Sequence, residues 1–241
     1  MQFDFYNRYI AGEEISVWRD IYSLKEISAI DDNWQDLLKV LQETFERVKY
    51  NIDFIFVKLK ECKCYSFKES NPIKSDYVKS NYYFNILKNK VNEFGYMPFT
   101  LDFFYRNIES INFLHSLERH SLFKYADPLF IDSAEHLLDN MDDGSWEELM
   151  YENKDNKMPV YVEFSPDYYH KDNVSGGLPY GIEITPTQQV DSYVVNTPYG
   201  NIYFVEYLRL CFKYGGFPNI SDKNDNYIEF VENLRLGLKN I

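Results

Sequence analysis

The 241-residue sequence is poor in cysteine, with only Cys62, Cys64 and Cys211. An odd count in a chain this long argues against a disulfide framework and fits a reducing compartment. Histidine is also scarce. His115, His120, His136 and His170 do not fall at zinc-ligand spacing, and Cys62-x-Cys64 lacks a second pair. Neither a metal nor a cofactor is expected. Gly-x-Gly-x-x-Gly and Gly-Lys-Ser/Thr are both missing, which argues against dinucleotide and P-loop phosphate sites. No Gly-x-Ser-x-Gly frames a nucleophile. No apolar run approaches the roughly 18 residues that cross a bilayer. The start, Met1-Gln2-Phe3-Asp4-Phe5-Tyr6, lacks the basic and apolar stretches of a secretory signal. The expected location is therefore the cytoplasm, without membrane contact.

Basic residues are short in one half. Residues 1–125 carry 17 Lys and Arg against 18 Asp and Glu, whereas residues 126–241 carry 8 against 20. Between Asp127 and Glu152 there are nine acids and no Lys or Arg. Such a field repels phosphate backbones, so direct nucleic-acid binding is disfavoured and a basic protein partner is favoured. The same one-sided charge also serves solubility. The 22 Tyr and 19 Phe are expected mainly as core and half-buried filler.

Apolar residues recur at helical spacing. Residues 13–24 form a short amphipathic helix. Trp34, Leu37, Leu38, Leu41, Phe45, Val48, Ile52, Ile55, Phe56 and Leu59 extend a long one over 33–61, with an N-cap in Asp31-Asp32-Asn33. The β-prone run Ile52–Val57 is overridden by that longer period. Cys64–Phe67 reads as extended. A third helix spans 76–94, ended by Gly95, and a short one follows, capped by Thr100. After residue 110 strands and helices alternate. Leu129–Ile131 reads as a strand and Ser133–Leu138 as a helix. Ser145-Trp146-Glu147-Glu148 has capping-box form. Val160, Val162 and Phe164 mark a strand on one face, Ile182 and Ile184 another, and 193–195 a third. Helices close the chain at 202–214, stopped by Gly215-Gly216, and at 227–238.

The segment from Phe164 to Gly181 holds two prolines, three glycines, three tyrosines and His170 between two strands. Asn173-Val174-Ser175-Gly176-Gly177 supplies the positive-φ tolerance of a tight turn, and Asp172 and Asn173 can bond back to the local main chain. Asp167, His170 and Asp172 gather here, so a loop site for a small ligand or hydrolysis is one reading. A rigid, ordered loop that only holds shape is the other.

Three blocks carry a resemblance: Tyr9–Glu13 with Val17-Trp18; Tyr125–Leu129; and Ser165–Ile182. With Phe204–Arg209 and Tyr214–Pro218 they resemble a widespread group of bacterial proteins sharing a loop of the YHKxNVSGGxPYGI type. That likeness brings no activity with it. Over roughly residues 95–214 the chain also resembles the SUKH superfamily, many members of which are bacterial toxin-immunity proteins. Pro98–Ile108 is similar to its Leu-Pro helix, with Glu109-Ser110-Ile111-Asn112 in place of the usual Asn-Gly-Gly turn. Asp127–Leu138 resembles its strand-then-helix unit, 160–184 its central hairpin, and Phe204–Leu210 its closing helix. The resemblance implies an α+β fold: a twisted, mainly antiparallel sheet with flanking helices. The expected layout is one domain, 1–241, with a long-helix extension at 1–95 before a SUKH-like core at 96–241.

The expected function is non-enzymatic: an immunity protein that blocks a toxin, such as a nuclease toxin, through an acidic face. Asp132, Glu135, Asp139, Asp142, Asp143, Glu147, Glu148 and Glu152 would meet the basic partner, with Trp146 as the buried anchor. The alternative is a small-molecule or hydrolytic protein using Asp167, His170 and Asp172. A third reading pairs copies of the chain through the helix at 33–61.

Overall fold

The computed structural model describes residues 4–24, 33–61, 77–114, 124–219 and 225–241. The chain opens with α1 (Phe5–Ile10) and α2 (Glu14–Ser23), joined through Gly12 at φ +97°. Next comes α3 (Trp34–Glu61), 28 residues and about 42 Å long. Leu37, Leu41, Phe45, Val48, Ile52, Ile55, Phe56 and Leu59 are buried as the periodicity predicts, Val40 joins them, and Trp34 and Leu38 are only half-buried. The Ile52–Val57 run is helical within it. Leu37 N–H donates to Asn33 O at the helix start (3.0 Å), while Asp31 and Asp32 lie outside the described residues. So do Cys62, Cys64, the expected extended stretch Cys64–Phe67, His115 and His120.

α4 (Tyr77–Val91) stops three residues short of the expected end, and a turn then leads to Gly95. A Cβ on Gly95 would sit 2.5 Å from the Thr185 carbonyl, because Tyr96 and Thr185 bridge here. α5 (Phe99–Asn107) starts after Pro98. Thr100 is not its cap. It lies in the first turn and its hydroxyl donates to Asp191 (2.7 Å).

A two-stranded sheet pairs β1 (Ile111–Asn112) with β2 (Phe130–Ile131), antiparallel. α6 (Ala134–Asp139) follows, with Ser133 Oγ accepting from His136 N–H as its cap (3.3 Å). α7 (Ser145–Asp155) begins differently from the expected capping box. Gly144 occupies the N-cap at φ +81°, and Asp143 accepts from both the N–H (3.0 Å) and the hydroxyl (2.6 Å) of Ser145.

Four strands then form an antiparallel meander: β3 (Tyr161–Ser165), β4 (Tyr180–Glu183), β5 (Tyr193–Val195) and β6 (Ile202–Tyr203). Val162, Phe164, Ile182 and Val194 face the core. Cross-strand register sets Tyr161, Glu183, Tyr193 and Tyr203 in one row on the other face. The Tyr203 ring stacks on Tyr193 at 4.5 Å and on Tyr22 of α2 at 4.0 Å. Because 202–203 pair as β6, the following helix, α8 (Phe204–Lys213), starts later than its apolar period suggested. Gly216 N–H donates to Cys211 O (2.8 Å) and Gly215 N–H to Phe212 O (3.0 Å), a Schellman close that needs the two positive-φ glycines. α9 (Asp225–Arg235) packs on α3.

The fold is thus α+β, and one hydrophobic core runs through all of it. Phe45 of α3 stacks with Phe103 of α5, and Phe104 meets Phe204 of α8 edge-on. The N-terminal helices therefore share the core of the sheet.

Asp191 ties this assembly together. It is 3% exposed and accepts from the Thr100 hydroxyl, Ser192 N–H (2.9 Å) and Val205 N–H (3.0 Å), so it links α5 and α8 to the residues just before β5. Burial pushes its carboxyl from the ordinary 3.8 up to about 7, partly opposed by those donors. A raised folded value means that the folded state holds the proton where the unfolded chain has lost it. Its contribution to stability is therefore full below about pH 4 and falls away as pH rises to about 7. Asp191→Asn should flatten that part of the pH dependence. Thermal midpoints of both proteins between pH 4 and pH 8 (approximate limits set by the two protonation values) check this, and parallel curves would refute it.

Candidate functional site

The acidic segment folds as α6, the turn after it and α7, so its carboxylates fall on two short helices and the turn between them. Their environments differ. Glu135 pairs with Lys79 (2.6 Å) and Glu147 with Lys90, and the lysine in each case draws the carboxyl below its usual range. Asp132 accepts from Ser133 N–H (2.9 Å) and lies 2.9 Å from His136 Nδ1. Asp143 is held by Ser145, whose hydroxyl and N–H also lower its protonation range. These four are engaged by the chain itself. Asp139, Asp142, Glu148 and Glu152 are exposed, and among the described residues none has a cationic partner. On α7, Glu148 and Glu152 lie one turn apart on one face, and Asp155 continues the line.

Trp146 does not belong to this surface. It is 6% exposed, its Nε1–H donates to the Tyr161 carbonyl (3.0 Å), and its ring meets Phe94 edge-on. The first turn of α7 points it inward, so it anchors the helix to β3 and is unavailable to a partner. Apolar side chains in and just after α7 that reach solvent include Leu149 (39% exposed), Tyr151 (44%), whose hydroxyl donates to Glu93, and Met158 (59%). Sequence reasoning missed them. An exposed leucine cannot be told from a buried one until the helix phase against the core is known.

The structure brings Asp167, His170 and Asp172 into one loop, with His170–Asp172 as a single 3-10 turn. Asp167 is nearly fully buried. It accepts from Tyr169 N–H (2.7 Å) and His170 N–H (3.3 Å) and contacts His170 Nδ1. Asp172 does not bond back locally as expected. It accepts from Tyr125 N–H, 47 residues away in sequence. Both carboxylates therefore fasten backbone. Asn173 (φ +58°), Gly176 (φ +133°) and Gly177 (φ +84°) take the positive-φ positions of the turn.

Gly177 lies directly over Asp167. An added Cβ would be 2.7 Å from its Cγ and 2.8 Å from Oδ1, whereas one on Gly176 meets nothing within 4 Å. Gly177→Ala should cost about 2–3 kcal/mol, from the left-handed backbone and from displacing the Asp167 carboxylate. Gly176→Ala should lose only the backbone part. Urea unfolding of both variants checks this, and equal losses would contradict the contact.

Beneath the loop lies a buried ion pair that sequence reasoning did not find. Lys171 Nζ is 2.5 Å from Asp127 Oδ1, with side chains 1% and 0% exposed. Asp127 Oδ2 accepts from the Tyr180 hydroxyl (3.0 Å) and the Tyr199 hydroxyl (2.8 Å). Burial raises both phenols well above their usual range, so they stay protonated donors. The Lys171 ammonium also sits 4.8 Å from the centre of the Tyr180 ring. Cys211 lies close by, and burial pushes its thiol far up, which makes it a poor nucleophile. Lys171, Tyr180 and Tyr199 together satisfy Asp127 and tie the loop to β4 and to the segments before β2 and before β6, while the Tyr207 hydroxyl of α8 is buried close by with no hydrogen-bond partner among the described residues.

Among the described residues, no group of three or more His, Cys, Asp or Glu side chains is arranged to hold a metal ion. No helix among them is long and apolar enough to cross a membrane. No protein-family model, curated protein or solved structure matches the chain.

Proposed function

We propose that the chain is a non-catalytic binding protein that docks a basic protein partner on the face formed by α6 and α7. The observation that carries this reading is four exposed carboxylates, Asp139, Asp142, Glu148 and Glu152, on α6, the turn after it and α7, with no ion-pair partner among the described residues, and the exposed Leu149, Tyr151 and Met158 in and just after α7. Uncompensated charge steers a basic surface toward the face, and apolar side chains among the charges slow its departure. Leu149 and Tyr151 take the anchoring role first expected of Trp146. The sequence resemblance to the SUKH superfamily makes a toxin, such as a nuclease, the partner we favour, and the chain would then act as its immunity protein in the cytoplasm.

The loop reading has less in its favour, since Asp167 and Asp172 are spent on holding backbone. The test is capture from lysate of the native host at low salt. Wild-type protein should retain a basic protein that high salt releases. The variant Asp139→Lys/Asp142→Lys/Glu148→Lys/Glu152→Lys should not retain it. Equal retention by both would defeat the proposal.

A further inference from the structure

The acidic chain holds one cleft of opposite character. It encloses about 720 Å³ between the start of α2, the end of α8 and the segment after α9. Pockets of this volume suit small molecules rather than proteins. Five cationic side chains line it: Arg19, Arg209, Lys213, Arg235 and Lys239. Two carboxylates line it as well, and both are already paired outward, Glu13 with Arg8 (3.0 Å) and Glu14 with Arg47 (2.7 Å). Arg209 is also spent, on Glu206, on Ile241 O (2.6 Å) and on Glu14 O (3.2 Å). Arg235 bonds Glu232 (3.0 Å). Arg19, Lys213 and Lys239 line it without an ion-pair partner among the described residues, although the Lys213 ammonium sits 5.5 Å from the centre of the Tyr214 ring and the Lys239 ammonium 4.4 Å from that of Tyr50. Three side-chain cations without an ion-pair partner among the described residues thus line one concavity in a chain of net charge -13.

The rest of the wall is mixed, with Ser16 and Asn240 beside apolar side chains. Ile15 is 64% exposed beside it, and Phe212 and Leu238 line it too. One wall is fixed by three side chains. Asn51 Nδ2–H donates to Lys239 O (2.8 Å), Arg47 to Asn240 O (3.0 Å) and Arg209 to Ile241 O. A wall held this way loses little entropy when a ligand enters.

We infer that this cleft binds a small organic anion bearing an apolar portion, free in solution. The anionic group meets Arg19, Lys213 and Lys239, and the apolar portion lies against Ile15, Phe212 and Leu238. Neither the acidic face nor the loop takes part, so the inference stands apart from the proposed docking function.

The test is equilibrium binding of 1-anilinonaphthalene-8-sulfonate by the folded full chain, with N-phenyl-1-naphthylamine as the uncharged counterpart. The sulfonate should bind saturably at one site, tighter than the neutral probe. Its affinity should fall as NaCl rises from about 50 to about 300 mM. The variant Arg19→Ser/Lys213→Ser/Lys239→Ser, checked for an unchanged thermal midpoint, should weaken it about tenfold or more. If that variant unfolds, the salt series on the wild-type protein decides. No saturable site, equal binding of the neutral probe, an affinity indifferent to salt, or full binding by the folded triple variant would each overturn the inference. So would attachment to anionic phosphatidylglycerol vesicles without binding of the monomeric probe.

Discussion

Replacing Lys171 with Met lowers the stability of the fold by about 3–5 kcal/mol. The replacement fits the space of the lysine stem, so packing changes little. What it removes is the cation paired with Asp127, the only one among the described residues, and the Asp127 side chain has no exposure. The two tyrosine hydroxyls still donate to Asp127, yet neutral donors offset only part of the cost of burying a carboxylate. Lys171→Met/Asp127→Asn should be less damaging than Lys171→Met alone, because no buried charge is left. Urea unfolding measures both. A single-variant loss below about 1 kcal/mol, or a double variant worse than the single, would contradict a buried pair that ties the loop to the core.

Reversing the four free carboxylates of the α6–α7 face should slow association with the captured partner about 100-fold at low salt. Steering depends on the field of the whole face, and four reversals take most of that field away. The difference between wild type and variant should shrink as salt rises, because screening removes what the mutations remove. Stability should hold or improve, since the residues are exposed, lack ion-pair partners among the described residues and repel the rest of a net -13 chain. Stopped-flow association at several NaCl concentrations, with thermal melts alongside, reads both parts. A rate unchanged by the reversals, or a variant that fails to fold, would speak against a free docking face.

Local signals were readable in the sequence and distant ones were not. The stripe from Leu37 to Leu59 declares α3 because helical periodicity repeats over many turns. The alternation Val162, Phe164 and Ile182 declares β3 and β4 for the same reason in period two. β1 and β6 have two residues each, too few to show any period, and the six-residue α1 is nearly as short. Thr100 resembled a helix cap because threonine often is one, but its hydroxyl was claimed by Asp191, 91 residues on. Lys171 and Asp127 both lay within blocks that carry the family resemblance, yet no spacing rule joins residues 44 apart. Trp146 misled for a related reason. Its place in an acidic run suggested a surface, while the phase of α7 against β3 set it inside. The acidity of the face was legible from composition alone. Which carboxylates are free was not, because Lys79 and Lys90 come from α4.

Amide hydrogen exchange on the complex with the captured basic partner locates the contact without mutation. Slowed exchange across 139–155, with 164–181 unaltered, is the outcome expected of a docking surface on α6 and α7. Protection confined to the glycine-turn loop or to the outer row of tyrosines, with 139–155 exchanging as in the free chain, would mean that the partner binds elsewhere.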